Sequence, residues 1–295
     1  MSTLFVHYGD DWIRGSERVL LDILGGLDRT RFRPLVWCNA AAMEQEVAAL
    51  GVPVVRADFA HIEPEAPLGA GLAGVRRLVR EGRSLVRAHR IGLIHANGGA
   101  PTQWMVPVAR LEGVPLVAHL HSYYKSHYRH LYLLHEADVV VGCSRYVLEG
   151  VAADGVRESR LRVLHNGVSP ERLRAFPAAS RPAGDGPVLT SLGSLIGRKG
   201  HDVTLRALRL LRERGHAPTL LVFGSGPERA SLEALAGELG VSDLVTWMGD
   251  RPEAPAFLRD ATDVLVHAAR DEAFGLALLE AGEMGLACVA TQVGG

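Results

Sequence analysis

The chain has 295 residues, 47% of them hydrophobic, with 32 basic against 33 acidic side chains. That length suits two domains rather than one, and the hydrophobic share suits a soluble protein with sizeable cores. A formal net charge of −1 excludes a global field drawing the chain to nucleic acid or anionic lipid, though it is compatible with a local basic patch.

The N-terminus runs from Met1-Ser2-Thr3 straight into the apolar stretch Leu4 to Tyr8. Without a basic leader or a small-residue cleavage site, this reads as a first strand rather than a signal peptide. Next, Ser16–Leu27 places Val19, Leu20, Ile23, Leu24 and Leu27 on one helical face. Leu35–Cys38 and Val52–Val55 read as strands around a helix at Ala42–Leu50, and Leu72–His89 as a helix with Leu72, Val75, Leu78, Val79, Leu85 and Val86 on its buried stripe. Strands are predicted at Gly92–His95, Leu116–Leu120, Asp138–Gly142 and Leu161–Leu164, with helices between them. Repeated strand–helix–strand units of this size argue for a parallel sheet covered on both faces.

The pattern breaks in a stretch holding Pro177, Pro182 and Pro187 with Gly184, Asp185 and Gly186, which predicts a linker over 173–187 between a domain at 1–172 and another at 188–295. Alternation then restarts with strand Val188–Leu192, helix Asp202–Arg214, strand Thr219–Phe223, helix Glu228–Leu239, strand Leu244–Trp247, helix Glu253–Asp260, strand Val264–His267, helix Gly275–Met284 and strand Ala287–Ala290. The fold class expected is α/β, two Rossmann-like doubly wound domains in series. The Ala287–Ala290 strand lacks the sixth neighbour that the common dinucleotide-fold order supplies, so the second domain reads as incomplete at its C-terminus. Cys38, Cys143 and Cys288 are odd in number, far apart and outside any C-x-x-C pair, which argues against a disulfide framework or structural zinc. With no apolar run near the ~20 residues of a membrane span, a cytoplasmic location is expected.

Ligands of open α/β sheets sit beyond the carboxyl ends of the strands, and three clusters fall at such ends. Gly193-Ser194-Leu195-Ile196-Gly197-Arg198-Lys199-Gly200 joins a strand to a helix. Its glycines allow a tight turn, helix-start N–H groups favour anions and Lys199 adds a formal charge. A helix terminus alone contributes only about 0.3–1 kcal/mol, so the lysine is needed for tight diphosphate binding; a plain turn with a solvated Arg-Lys pair reads equally well from this motif alone. Gly224-Ser225-Gly226-Pro227 also joins strand to helix and suits close ligand approach, but it is not G-x-G-x-x-G, and by itself an ordinary turn is the better reading. In Asp271-Glu272-Ala273-Phe274-Gly275-Leu276-Ala277-Leu278-Leu279-Glu280, continuous helix would leave Glu272 and Glu280 about 80° apart. A bend at Phe274-Gly275 removes that constraint and frees the N–H groups of Gly275 and Leu276. A carboxylate for sugar or ribose hydroxyls beside backbone donors for phosphate is what a nucleotide sugar requires.

In order and spacing these motifs, with the closing Val289-Ala290-Thr291 and Gly294-Gly295, resemble the retaining glycosyltransferases of family 4, which have the GT-B fold. In the first half, Val114-Pro115-Leu116-Val117, His121 and Val163-Leu164-His165-Asn166-Gly167-Val168 also match family segments. The resemblance implies an active site between two domains, in which a sugar passes with retention from a nucleotide-diphosphate donor to an acceptor. It implies that Lys199 holds the diphosphate and that Glu272 binds sugar hydroxyls. Backbone N–H groups at Phe274, Gly275 and Leu276 would support sugar and phosphate, and Glu280 would bind the ribose. His121 aligns with a histidine near the transferred sugar, and Gly15 with a glycine loop facing the diphosphate. The family often carries arginine where Ser194 stands, a loss that Arg198 could offset, and paired glycines where Arg14 precedes Gly15. Its final strands and C-terminal helix have no counterpart. The chain contains no D-x-D cluster, which favours a metal-free route through cationic side chains and helix N-termini, with no cofactor beyond the donor.

Weaker signals take bland readings. His119, His121, His127, His130 and His135 crowd one region, yet no carboxylate or cysteine completes a zinc set. Tyr123 to Arg129 mixes aromatics and bases, compatible with nucleic-acid stacking, a lipid surface or an acceptor, but best read as an amphipathic helix. Arg18 could approach phosphate, though Glu17 beside it is ordinary helix-start composition. The expected partners are a nucleotide-sugar donor and a sugar, lipid-linked or small-molecule acceptor, with no nucleic acid; peripheral membrane contact is compatible but has no motif. Alternatives on the same architecture are a nucleotide-sugar epimerase or phosphorylase and a non-catalytic nucleotide-binding protein.

Overall fold

The computed structural model describes residues 1–63 and 68–295, and the chain divides into two compact units, Met1–Asn166 and Gly167–Gly294. In the first unit the order is β1 (Ser2–His7), α1 (Gly15–Gly26), β2 (Arg33–Cys38), α2 (Ala41–Ala49), β3 (Val54–Arg56), α3 (Leu68–Ala88), β4 (Leu93–Asn97), α4 (Thr102–Glu112), β5 (Leu116–Leu120), α5 (Ser126–Leu131), β6 (Val139–Gly142), α6 (Arg145–Ala153) and β7 (Leu161–Val163). All seven strands are parallel, in the order β3-β2-β1-β4-β5-β6-β7. The order reverses between β1 and β4, whose last residues, His7 and Asn97, lie side by side.

The second unit runs α7 (Pro170–Arg174), β8 (Val188–Leu192), α8 (His201–Glu213), β9 (Thr219–Phe223), α9 (Arg229–Glu238), β10 (Val245–Gly249), α10 (Ala254–Ala261), β11 (Val264–His267), α11 (Leu276–Glu283) and β12 (Ala287–Ala290). Its parallel sheet has the order β10-β9-β8-β11-β12, reversing between β8 and β11. The architecture is therefore α/β with two Rossmann-like sheets. Residues 173–187 are tied to this second unit: Ala179 N–H donates to Asp260 Oδ2 (3.0 Å) and Arg181 Nη1 to Asp263 Oδ1 (3.0 Å).

The inner strands of both sheets are continuous apolar runs that are largely buried, as strands covered by helices on both faces must be, whereas the edge strand β12 is exposed along its length. Phe5, Val36 and Cys38 pack under Leu20, Leu21, Leu24, Met43 and Val47 of α1 and α2. Leu220 and Val222 of β9 pack against Leu205 and Leu208 of α8 and Leu232 and Ala236 of α9. One stripe residue departs from its expected place. Leu72 is 42% exposed, whereas Leu78 and Val86 are buried. At that end of α3, Gly71 and Gly74 take the inner face because the backbone of residues 60–62 lies directly against them, turning Leu72 outward.

Helix starts follow local chemistry. Ser144 Oγ accepts from Val147 N at α6 and Ser169 Oγ from Arg172 N at α7, where Pro170 needs no partner for a missing N–H. Glu17 reaches back to the Arg14 N–H at the start of α1 (3.2 Å). Among the described residues, no helix is long and apolar enough to cross a membrane.

Candidate active site

In the second unit the loops after β8, β9 and β11 meet at the carboxyl end of the sheet. The β8 and β9 loops are stitched by backbone bonds, Gly193 N to Phe223 O (3.0 Å) and Leu195 N to Ser225 O (3.0 Å). This contact explains both glycines of the second motif. A β-carbon on Gly224, whose φ is +125°, would collide with the Gly193 carbonyl, and one on Gly226 with that of Leu195. Their demonstrated role is thus loop packing. His201, missed in the sequence, braces the same turn: its Nε2 donates to Ser194 O (3.2 Å) while Ser191 Oγ donates to Nδ1 (3.0 Å).

Lys199 and Glu272, 73 positions apart, come together in a direct ion pair on Glu272 Oε2. His267, the last residue of β11, donates to the same oxygen at 3.0 Å. Sequence reading passed over His267; its signal was a polar residue ending an apolar strand just ahead of Glu272. Burial opposes the charge on Glu272, but the His267 hydrogen bond and the Lys199 ammonium outweigh it and hold the carboxyl at about 2. It is therefore ionised at neutral pH. Arg198 supports the cluster through its carbonyl, which accepts from Arg270 N (2.8 Å), and through Nη1, which donates to Asp271 O (3.4 Å).

The expected bend is present. Gly275 adopts a left-handed conformation (φ +89°) and α11 begins at Leu276, so Phe274, Gly275 and Leu276 form the turn into the helix rather than its interior. First-turn amides of an α-helix have no intrahelical acceptor, and they point toward whatever anion lies beyond the terminus. Glu280 sits one turn further on, where Arg172 Nη2 donates to its Oε1 at 3.2 Å. Arg172 is a second group that sequence reading did not assign to this site; nothing in its local pattern marks a partner 108 positions away.

In the first unit, the carboxyl ends of β1, β4 and β5 hold a polar group in an apolar surround. Gly15 opens α1 just beyond β1. His121 follows β5, and its Nε2 donates to Asn97 Oδ1 (2.8 Å); Asn97 Nδ2 donates to His7 Nδ1 (2.9 Å), and His7 Nε2 to Glu17 Oε1 (3.0 Å). The His119 and His121 rings lie 4.3 Å apart between centroids. Burial pushes His119 down to about 4; burial and neighbouring His119 push His95 down to about 3 and, with His95 and His7, hold His121 well below its ordinary value. All three rings are neutral at physiological pH.

The family model described as Glycosyltransferase Family 4 matches residues 13–172, and that described as Glycosyl transferases group 1 matches residues 174–295. The chain belongs to the family 4 glycosyltransferases. It is similar to a GDP-mannose-dependent alpha-(1-6)-phosphatidylinositol monomannoside mannosyltransferase of Mycolicibacterium smegmatis, 29% identical in an alignment that covers 88% of this chain and 71% of that protein. A 2-deoxystreptamine glucosyltransferase of Streptomyces kanamyceticus is 32% identical over 48% of this chain and 39% of its own. Among solved structures, Anabaena HepE in complex with UDP and glucose superposes with a TM-score of 0.79 at 22% identity, over all of this chain and 82% of that one. At that identity the likeness establishes the GT-B fold. This family 4 enzyme is a glycosyltransferase that uses a nucleotide sugar. Its Lys199–Glu272–His267 cluster lies where an open α/β sheet binds its ligand, beside the switch from β8 to β11.

Proposed function

We propose that this enzyme transfers a hexosyl group, with retention, from a nucleoside-diphosphate sugar to an acceptor hydroxyl without an essential metal. The observation that carries the reading is the convergence of one ammonium, one ionised carboxylate and one histidine, Lys199, Glu272 and His267, at the ligand end of the second sheet. Breaking the bond from the anomeric carbon to the diphosphate leaves negative charge on phosphate and positive charge on the sugar. Lys199 meets the first, with Arg198, the Ser194 loop and the amides of Phe274, Gly275 and Leu276 as further donors. Lys199 and His267 both address Oε2 of Glu272, so Oε1 would accept from sugar hydroxyls. Glu280 would receive the ribose hydroxyls, oriented by Arg172. Gly15 and His121 of the first unit would serve the diphosphate and the transferred sugar. Retention brings the acceptor hydroxyl to the face from which the diphosphate leaves, so a phosphate oxygen can take its proton.

The absence of a D-x-D cluster from the sequence supports a metal-free route. GDP-mannose is the first donor to test because it names the activity of the relative matched over 88% of this chain; UDP-glucose is the second. The acceptor class is a sugar, a lipid-linked glycan or a small polyol. Transfer is measured with each donor against an acceptor panel. Lys199→Ala and Glu272→Ala should each lower turnover by about 100-fold or more with the fold intact, and EDTA should leave wild-type turnover unchanged. Near-normal turnover in either variant would falsify the site assignment.

A further inference from the structure

We propose that Asn97, His7 and Glu17 act as a relay of positioning residues that fixes His121 in one tautomer, with Nε2 protonated and Nδ1 held bare as an acceptor for a hydroxyl of the sugar undergoing transfer. This rests on the reading above that His121 serves the transferred sugar.

The direction of every bond in the relay follows from one carbonyl. Asn97 Nδ2 lies 3.1 Å from Ser16 O. A carbonyl only accepts, so the nitrogen of the Asn97 amide must face it, and the amide cannot be flipped. Its second N–H then points at His7 Nδ1 (2.9 Å), which must accept. His7 therefore carries its proton on Nε2 and donates to Glu17 Oε1 (3.0 Å). Glu17 also receives the Arg14 N–H on Oε2 (3.2 Å) and the Ser16 hydroxyl on Oε1 (3.1 Å), contacts that only an acceptor satisfies. On the other side, Asn97 Oδ1 faces His121 Nε2 (2.8 Å) and requires a proton there. In a neutral ring the lone pair is then on Nδ1. That atom is buried and, among the described residues, has no hydrogen-bond partner.

The arrangement is expensive as mere scaffolding. His7 and Asn97 are each 1% exposed and Glu17 is 4% exposed, and well-packed apolar side chains would hold three such positions at least as firmly. It is also placed for function. His7 and Asn97 end the two strands between which the first sheet reverses, and Glu17 stands in the first turn of the helix that follows β1. A half-buried imidazole whose free lone pair is buried discriminates a hydroxyl donor from an apolar group, and the relay stops it from turning its N–H toward that hydroxyl.

The test reads tautomers directly, by long-range proton–nitrogen NMR of 15N-histidine-labelled full chain, beside steady-state kinetics. Wild-type His121 should show a protonated Nε2 and a bare Nδ1; the opposite tautomer overturns the proposal whatever the variants do. Asn97→Asp keeps the acceptor toward His121 but cannot donate to His7 or Ser16. Its carboxylate should keep the Nε2 proton and draw a second onto Nδ1, leaving an imidazolium with no lone pair, and lower turnover at least tenfold, with donor KM changed less than threefold. His7→Gln keeps an acceptor for Asn97 and a donor for Glu17, and should preserve the His121 tautomer and restore most turnover relative to His7→Leu. An unchanged His121 spectrum in Asn97→Asp overturns the relay. A proton on Nδ1 with wild-type turnover supports the relay as the device that sets the ring and overturns instead the assignment of His121 to the reaction.

Discussion

Replacing Lys199 with methionine tests the centre of the site, since it removes the ammonium while keeping most of the aliphatic stem. Glu272 is held at about 2, below its ordinary 4.5, which corresponds to about 3 kcal/mol in favour of the carboxylate. The sign follows from the folded value lying below the unfolded one. The stabilisation is complete above about pH 4.5 and is lost as the pH falls from there through about 2. In Lys199→Met the opposing effect of burial persists, and only the His267 bond remains to resist it, so the carboxyl should move up toward its ordinary range. Carbon-detected titration of the Glu272 side chain in both proteins measures this. Denaturant unfolding should show the difference in stability between wild type and variant largest at neutral pH and shrinking in acid. Turnover should fall about 100-fold or more if the same ammonium neutralises the leaving diphosphate. A wild-type Glu272 titrating near 4.5, or a variant in which it stays near 2, would refute the argument.

Three further outcomes are expected. Glu280→Gln should raise donor KM about tenfold, the loss of a charged hydrogen bond to ribose, while kcat stays within about twofold; an unchanged KM removes Glu280 from the donor site. Gly224→Ala forces a β-carbon into the Gly193 carbonyl at a φ of +125°, and should destabilise the second unit by about 2 kcal/mol or more, read as a lower midpoint in thermal or denaturant unfolding. In the first unit, the hydrogen bonds from Arg129 hold Asp154 below its ordinary value against the smaller effect of burial. Asp154→Asn should therefore cost about 1.5–3 kcal/mol at neutral pH. That cost should diminish as the pH drops through the carboxylate range, and a pH-independent difference would contradict it.

The alternation of short apolar runs with helical periods was sufficient to place nearly every strand and helix, because a parallel sheet covered on both faces needs continuous hydrophobic strands and one-sided helices. The motif loops were legible for the same reason: glycines and charged residues just beyond strand ends stand out against apolar neighbours. What local pattern could not show was partnership. Leu72 looked like a core residue until the backbone of residues 60–62 proved to occupy that side of α3. Gly224 and Gly226 suited either close ligand approach or an ordinary turn, and their shape is already required by the adjoining loop. Arg172, Asn97 and His7 were silent in the sequence, as each is an ordinary polar residue whose role depends on a group elsewhere in the chain, whereas His267 carried a signal that was passed over.

By itself, then, the sequence determined the class of the fold, the order of its elements and the loops in which chemistry would reside, all properties set by neighbours a few residues apart. Only the tertiary structure decided that Lys199, His267 and Glu272 share one carboxylate oxygen, and that a single backbone carbonyl at Ser16 orients the hydrogen bonds running to His121. The physical reason is that a hydrogen bond or an ion pair depends on distance and direction in space. Strand order, which closes gaps of 73 and 81 positions here, leaves no periodic trace along the chain.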